Sequence, residues 1–441
     1  MKKIYIIGIG GIGISALARY YNTLGYQIYG SDLVGSPLIE DLKKEGMNII
    51  IGEDEERIQS DFELVIYSEA VQKNQRERKK AESLGLHCIS YPQALGFVSD
   101  DKKLIAIAGT HGKSTTTSLV SLILKNSNKD FSSIVGTIVK EFDEKNFFVR
   151  QTGKDDKYFV LESCEYKEAF LNYKPFIGVI TNIEADHLDY YKNIDNYVQA
   201  FKKFVENIRP QGFALINMNN NFCKSLLSLR DDIHFVEVYE NYFIIKGEKY
   251  IFPQISMQIP GNHILFDAKL AYVVGKILDE EEKNIIKTLE NYNGVWRRME
   301  IIKKTKNGNI LMSDYGHHPT EILLTTKAIK EKYTDKKLYC VFQPHQYSRT
   351  LELLNDFKMC FGACDFLVIP DIYASRDSEE NKKKIDGKKF AELIDSPKAT
   401  FGNGIKNTLK IIETYDEKNP ASSIILLLGA GNVDNLRYEI Q

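Results

Sequence analysis

The feature that most constrains this chain is a pair of glycine-rich turns, each set between an apolar strand and a helical stretch. Lys103–Ala108 is an apolar run leading into Gly109-Thr110-His111-Gly112-Lys113-Ser114-Thr115-Thr116 and then a helix to about Leu124. Near the start, Lys3–Ile9 runs into Gly8-Ile9-Gly10-Gly11-Ile12-Gly13 and a helix through Ser15–Leu24. Backbone N–H groups at such a turn, with the helix N-terminus behind them, favour a phosphate. Strands alternating with helices predict a parallel α/β fold. The second turn departs from G-x-x-x-x-G-K-[ST], because Ile107 stands where the first glycine belongs. Lys113 can still neutralise phosphate charge and Ser114 can hold Mg²⁺.

A chain of 441 residues is too long for one ordinary core, and about 150 residues per domain predicts roughly three. The first segment adds strands Gln27–Gly30 and Glu63–Tyr67, and Tyr91-Pro92 to Asp101 reads as a linker. The second adds Tyr158–Leu161, Phe176–Ile180, a helix over Asp195–Ile208, Phe213–Ile216, an antiparallel patch over Ile233–Ile259 and a helix over Asn262–Leu278. The third alternates strands Ile310–Ser313, Leu338–Phe342, Phe366–Ile369 and Ile424–Leu428 with helices. Ligands of open α/β sheets bind at the carboxyl ends of strands, where polar loops stand here. Lys+Arg (58) nearly balance Asp+Glu (60), so charge favours neither nucleic acid nor an anionic membrane as partner. The six cysteines are scattered without zinc spacing, as in reduced cytoplasmic protein. No run reaches membrane-spanning length, and the N-terminal apolar run reads as a strand rather than a signal. A cytoplasmic location is expected, as a monomer or a homodimer.

Asp32, about 20 residues past the first turn, stands where an acid can accept a ribose hydroxyl. That pattern suits a nucleotide diphosphate without separating NAD from other nucleotides. Glu162, at a strand end, and His187, in Thr181-Asn182-Ile183-Glu184-Ala185-Asp186-His187, are both candidates to reach a phosphate-bound metal. Oxygen ligands such as Glu162 and Ser114 suit Mg²⁺, whereas His187 is unusual for it. Tyr315, His317, His318, His345 and Arg349 stand at strand ends of the third segment and suit an anionic group, or else serve as caps and turns. Trp296-Arg297-Arg298 reads as solvated surface or a phosphate contact.

In order and combination these motifs resemble the Mur ligase family, over nearly the whole chain. Gly10-Gly11-Ile12-Gly13 with Ser15, and Ser68-Glu69-Ala70-Val71, resemble its UDP-binding loops. Gly109–Thr116 resembles its ATP loop, which also lacks the first glycine, and Thr181–His187 with Asp189 its central signature. Asp314–His318 with Pro319-Thr320-Glu321, Gln343-Pro344-His345 with Ser348-Arg349-Thr350, Asp371–Ala374 with Arg376, and Gly429-Ala430-Gly431 resemble its C-terminal signatures. The resemblance implies an N-terminal Rossmann-like UDP-sugar-binding domain (1–98), a central P-loop-type ATPase domain with a mixed sheet (99–294) and a C-terminal Rossmann-like amino-acid-binding domain (295–441).

The activity implied is cytoplasmic and belongs to peptidoglycan precursor synthesis. L-alanine joins the lactyl carboxylate of UDP-N-acetylmuramate through an acyl phosphate, with ATP as co-substrate and Mg²⁺. Gly109, Thr110, His111, Gly112, Lys113, Ser114, Thr115 and Arg298 are then ATP contacts. Gly10, Gly11, Ile12, Gly13, Ser15, Asp32 and Ser68 are UDP-sugar contacts. Ser114, Glu162 and His187 are metal ligands, and Lys113, His187, His317, His345 and Arg349 act in catalysis. Three departures stand out: Glu162-Ser163-Cys164-Glu165 thins the family's run of acids, Ile264 and Asp267 replace two asparagines on the adenine side, and Gln346 stands where arginine is frequent. Lys202 and Lys203 lie in the region where some relatives carry a carbamylated lysine. The competing readings are a peptide-recycling ligase of the same family, an NAD-dependent oxidoreductase and a regulatory protein without catalysis.

Overall fold

The computed structural model describes residues 2–151, 157–375 and 377–441. They form two compact units, Met1–Ser256 with Phe266–Asn291, and Met257–Leu265 with Tyr292–Gln441.

The first unit holds two sheets. Five parallel strands lie in the order Asn48–Ile51, Gln27–Asp32, Lys3–Ile7, Leu64–Tyr67, Cys88–Ser90. After Lys3 the central strand is apolar and buried from Ile4 to Ile7, as both faces of a helix-covered parallel sheet require. Nine strands form the second sheet, in the order Glu248–Ile251, Tyr242–Ile245, His234–Val238, Phe213–Asn217, Ile177–Ile180, Lys103–Ala108, Lys157–Glu162, Asp130–Val139, Lys145–Arg150. Its six inner strands are parallel, and antiparallel strands close both margins.

The two sheets share one continuous core. The Ile12–Thr23 helix is the contact, with Tyr20 edge-on to Phe159 at 5.6 Å between ring centres. Buried Asn146, on the margin strand Lys145–Arg150, donates to the Ile12 carbonyl and to Ser15 Oγ and accepts from Arg19 Nη1 (2.9 Å). Arg19 also pairs with Glu45 at 3.0 Å.

Two expectations change here. Tyr91 to Asp101 is not an irregular linker. Tyr91–Ser99 is helical, because Ser90 and Gln93 form a capping box, Pro92 sits in the first turn, and Ala94, Leu95 and Val98 are buried. Within Ile233–Ile259 only the later strands are antiparallel, since His234–Val238 pairs parallel with Phe213–Asn217.

The second unit holds six strands, in the order Glu300–Lys304, Ile310–Asp314, Ser423–Leu428, Lys337–Phe342, Phe366–Ile369, Thr400–Phe401. All pairings are parallel except the first. Its fully buried strand Ser423–Leu428 reads SIILLL. Among the described residues no helix is long and apolar enough to cross a membrane.

Candidate functional site

In the five-stranded sheet the chain leaves the central strand Lys3–Ile7 on one side to Gln27–Asp32 and on the other to Leu64–Tyr67. This is a topological switch point, where a crevice opens at the carboxyl ends. A cleft of about 630 Å³ lies there, lined by Gly8, Gly10, Gly11, Asp32, Leu33 and Ser68 among others. The Asp32 carboxylate already holds the turn. Its Oδ2 accepts the Gly10 N–H (2.8 Å) and its Oδ1 the Val34 N–H (3.2 Å).

Gly10, Gly11, Asp32 and Ser68 are therefore brought together, but Ile12, Gly13 and Ser15 do not line this cleft. Ser15 is fully buried in the helix, its hydroxyl donating to the Ile12 carbonyl and accepting from Asn146. Glu77 was missed in the sequence because it stands in Arg76-Glu77-Arg78-Lys79-Lys80, which reads as a solvated helix face. It is buried at the cleft, accepting from Tyr5 Oη (2.7 Å), Ser31 Oγ (2.6 Å) and Gln75 Nε2 (2.8 Å). Burial, with Glu77 beside it, holds the Tyr5 phenol far above its ordinary range.

In the nine-stranded sheet the Lys103–Ala108 strand leads to Gly109–Gly112 and the Lys113–Lys125 helix. Gly112 has φ +80°, and a Cβ there would stand 2.4 Å from Asp267 Oδ1, so only glycine suits the position. Asp267, one of the two residues that depart on the adenine side, thus packs against the loop itself. The Thr181–His187 segment grips the loop from outside. His111 N–H donates to Asn182 Oδ1 (3.0 Å), Thr181 Oγ1 donates to the His111 carbonyl (2.5 Å), and Thr110 Oγ1 meets Tyr197 Oη (3.1 Å). His111 Nε2 lies 3.0 Å from Glu184 Oε2. Thr115 is buried.

Two carboxylates then divide the loop's side chains. Ser114 Oγ donates to Glu162 Oε1 (3.0 Å), whose other oxygen accepts the Gly136 N–H (2.8 Å). Lys113 Nζ donates to the carbonyls of Gly109 (2.5 Å) and Thr110 (2.9 Å) and pairs with Glu165 at 3.0 Å. His187 Nε2 lies 3.5 Å from the same Glu165 carboxylate, with its ring tilted on Tyr166. Burial alone would raise the Glu165 carboxyl, but Lys113 and His187 outweigh it and hold it below the ordinary value. Burial likewise opposes charge on Lys113, and Glu165 with its neighbours reverses this and raises the ammonium. Ser114 and Glu162 therefore come together as expected. His187 instead meets Glu165, which the sequence showed only as a remnant of a thinned acidic run.

In the second unit the strand-end loops converge. The His317 and His345 rings are 6.1 Å apart, His345 stacks on Tyr373 at 5.5 Å, and Arg349 Nη1 lies 3.4 Å from His345 Nδ1. His318 caps the Pro319–Lys332 helix, its Nδ1 accepting the Thr320 N–H. Gln343 Nε2 ties Asp371 (2.6 Å) to Asn432 (2.8 Å). The Arg298 guanidinium lies over Tyr315 and 3.7 Å from Glu321. Its neighbour Arg297 is buried and donates to the carbonyls of Gly429 and Gly431. Burial pushes the Asp314 carboxyl up, although it accepts N–H groups from Met299 and Gly316. Arg376 lies outside the described residues.

Three family models match in order: the Mur ligase family catalytic domain over residues 3–103, the Mur ligase middle domain over 107–274, and the Mur ligase glutamate ligase domain over 297–431. The UDP-N-acetylmuramate–L-alanine ligase of Clostridium acetobutylicum is 38% identical over 455 residues, spanning 98% of this chain and 96% of that protein. The chain belongs to the Mur ligase family. A ligase of the same description from Alkaliphilus metalliredigens is 36% identical to this Mur ligase over 98% of its length and 95% of the relative's. Its fold matches the crystal structure of UDP-N-acetylmuramate-alanine ligase from Thermotoga maritima with a TM-score of 0.81 at 23% identity, covering 100% and 98% of the two chains. A murein peptide ligase from Psychrobacter arcticus shares the fold with a TM-score of 0.70 at 19% identity, covering 100% and 98%.

Proposed function

We propose that this Mur ligase joins L-alanine to the lactyl carboxylate of UDP-N-acetylmuramate, forming ADP and phosphate, as a cytoplasmic step of peptidoglycan precursor synthesis. The observation that carries the reading is the arrangement at the Gly109–Ser114 loop: a helix N-terminus flanked by Ser114 on Glu162 and by Lys113 on Glu165 and His187. The substrates are those named in the relatives that match along nearly all of this chain. The division of labour proposed is UDP-sugar binding over 1–98, ATP binding over 99–294 and amino-acid binding over 295–441.

A carboxylate is a poor electrophile. Phosphoryl transfer from ATP converts it to an acyl phosphate, the amine attacks the carbonyl carbon, and phosphate leaves. Such transfer is mostly positioning and charge neutralisation. The loop N–H groups of Gly109 to Thr115 cradle the phosphates, and Lys113 exchanges its carbonyl partners for phosphate oxygens. Glu165, steadied by His187, keeps that lysine charged and aimed. Ser114 and Glu162 offer only oxygen donors, which suits Mg²⁺, and these two residues would hold it. When bound, the ion supplies charge neutralisation at the phosphates. Gly10, Gly11, Asp32 and Ser68 hold the nucleotide of the UDP-sugar. His317, His345 and Arg349 bind the amino acid, and either histidine can take the ammonium proton.

The test is ADP release with UDP-N-acetylmuramate and a panel of amino acids plus the tripeptide. L-alanine should stimulate release well above serine, glycine or the peptide. Stimulation by the tripeptide alone would make the chain a recycling ligase, and hydride transfer to NAD would make it an oxidoreductase.

A further inference from the structure

Tyr91 has no role in the reading above. It opens the Tyr91–Ser99 helix, with its ring half-buried against the shared core. Its hydroxyl reaches the first helix after the glycine-rich turn, where a Cβ on Gly13 would stand 2.5 Å from it. Gly13 is thus the residue that leaves room for this phenol. The phenol also lies within electrostatic reach of Glu162, the carboxylate that holds Ser114. The hydroxyl is therefore next to Gly13, at the start of the helix after the nucleotide-cleft turn, and within electrostatic reach of the phosphate loop's carboxylate, all within one compact unit.

Among the described residues this hydroxyl has no hydrogen-bond partner. Its ring is only half-buried and the hydroxyl is not sealed from solvent, so its donor is open to an incoming acceptor. Burial, followed by Glu162 and Cys164, pushes the phenol well above its ordinary value, so it remains an O–H donor at any physiological pH. A donor without a protein acceptor, close to the turn of one ligand site and to the carboxylate of the other, is free to meet an acceptor on the ligand.

We infer that Tyr91 is a positioning residue that donates a hydrogen bond to the N-acetylmuramoyl part of the substrate. The inference rests on the proposed substrate: with its nucleotide in the Gly10–Asp32 cleft and its lactyl carboxylate at the Gly109–Ser114 loop, the sugar must cross the space Tyr91 borders.

The experiment is Tyr91→Phe, compared with wild type by calorimetric binding of UDP, UDP-N-acetylglucosamine and UDP-N-acetylmuramate, and by steady-state kinetics. Binding of UDP-N-acetylmuramate should weaken about tenfold, with KM rising to match, as loss of one hydrogen bond to a polar or charged group implies. UDP binding, KM for ATP and the melting temperature should stay unchanged. If UDP-N-acetylglucosamine weakens equally, the bond is to the sugar; if it does not, the bond is to the lactyl group. Unchanged UDP-N-acetylmuramate affinity overturns the inference, and so does an equal loss for UDP, which would mean a merely structural role. Absence of L-alanine-dependent ADP release in the wild type would instead refute the proposed reaction, and the binding comparison would still decide Tyr91.

Discussion

Glu165 joins Lys113 and His187, and its charge state sets the condition of the phosphate loop. Its carboxyl is held below the ordinary 4.5, so its stabilising contribution is present above pH 4.5 and is lost as pH falls through the lowered folded-state value. Glu165→Gln should lower stability at neutral pH by about 3 kcal/mol, because it leaves a largely buried ammonium short of its counter-charge. The variant's melting temperature should also fall less steeply than wild type as pH is taken below 4.5, which thermal melts across pH will check. Lys113→Ala should cut ADP formation on the order of a thousandfold while leaving UDP-sugar affinity intact, read by kinetics and calorimetry side by side. Glu162→Gln should raise the Mg²⁺ concentration needed for half-maximal rate at least about tenfold, and an unchanged requirement would remove Glu162 from the metal site. Lys113, Ser114 and Glu162 were legible in sequence, because a glycine-rich turn and a strand end announce them. Glu165 was not, since its role depends on the chain curling back after Glu162 to bring its carboxylate under Lys113. Likewise Glu77, within a basic helix face, gave no sign that its carboxylate turns inward to Tyr5 and Ser31.

At the scale of elements, the strand pair Asp130–Val139 and Lys145–Arg150 matters most and was least visible. Val149, Phe147 and Asn146 do not announce a partner sheet, yet this margin receives the Ile12–Thr23 helix and joins the two sheets of the first unit. Asn146 is the polar lock, bonded to Ile12, Ser15 and Arg19. Asn146→Ala should cost about 2 kcal/mol, the price of leaving a buried Arg19 guanidinium N–H without its acceptor, seen as a lower denaturation midpoint with ATP affinity preserved. The Tyr91–Ser99 helix carries a second lesson. Tyr-Pro with polar neighbours suggests a linker, but the Ser90–Gln93 box and a Pro in the first turn are also a helix start. Three-dimensional packing of Ala94, Leu95 and Val98 decided between them. The buried parallel strands, by contrast, were readable within a residue or two, since a short apolar run ending in glycine or a polar loop has few other uses.

At the scale of the molecule, the order of the motifs settled the family where no single motif did. The turn at Gly8–Gly13 alone also fits an oxidoreductase. That alternative gives no work to the Lys113–Glu165–His187 cluster or to the His317 and His345 loops, and it predicts NAD binding that UDP-sugar does not displace. In the proposed reaction the phosphoryl group of ATP goes to a carboxylate rather than to water. The direct measurement uses UDP-N-acetylmuramate labelled with oxygen-18 in both lactyl carboxylate oxygens, turned over with ATP and L-alanine. An acyl phosphate requires one labelled oxygen to leave with inorganic phosphate and the other to remain in the amide. Unlabelled phosphate, with amide formed at the normal rate, would rule out an acyl phosphate.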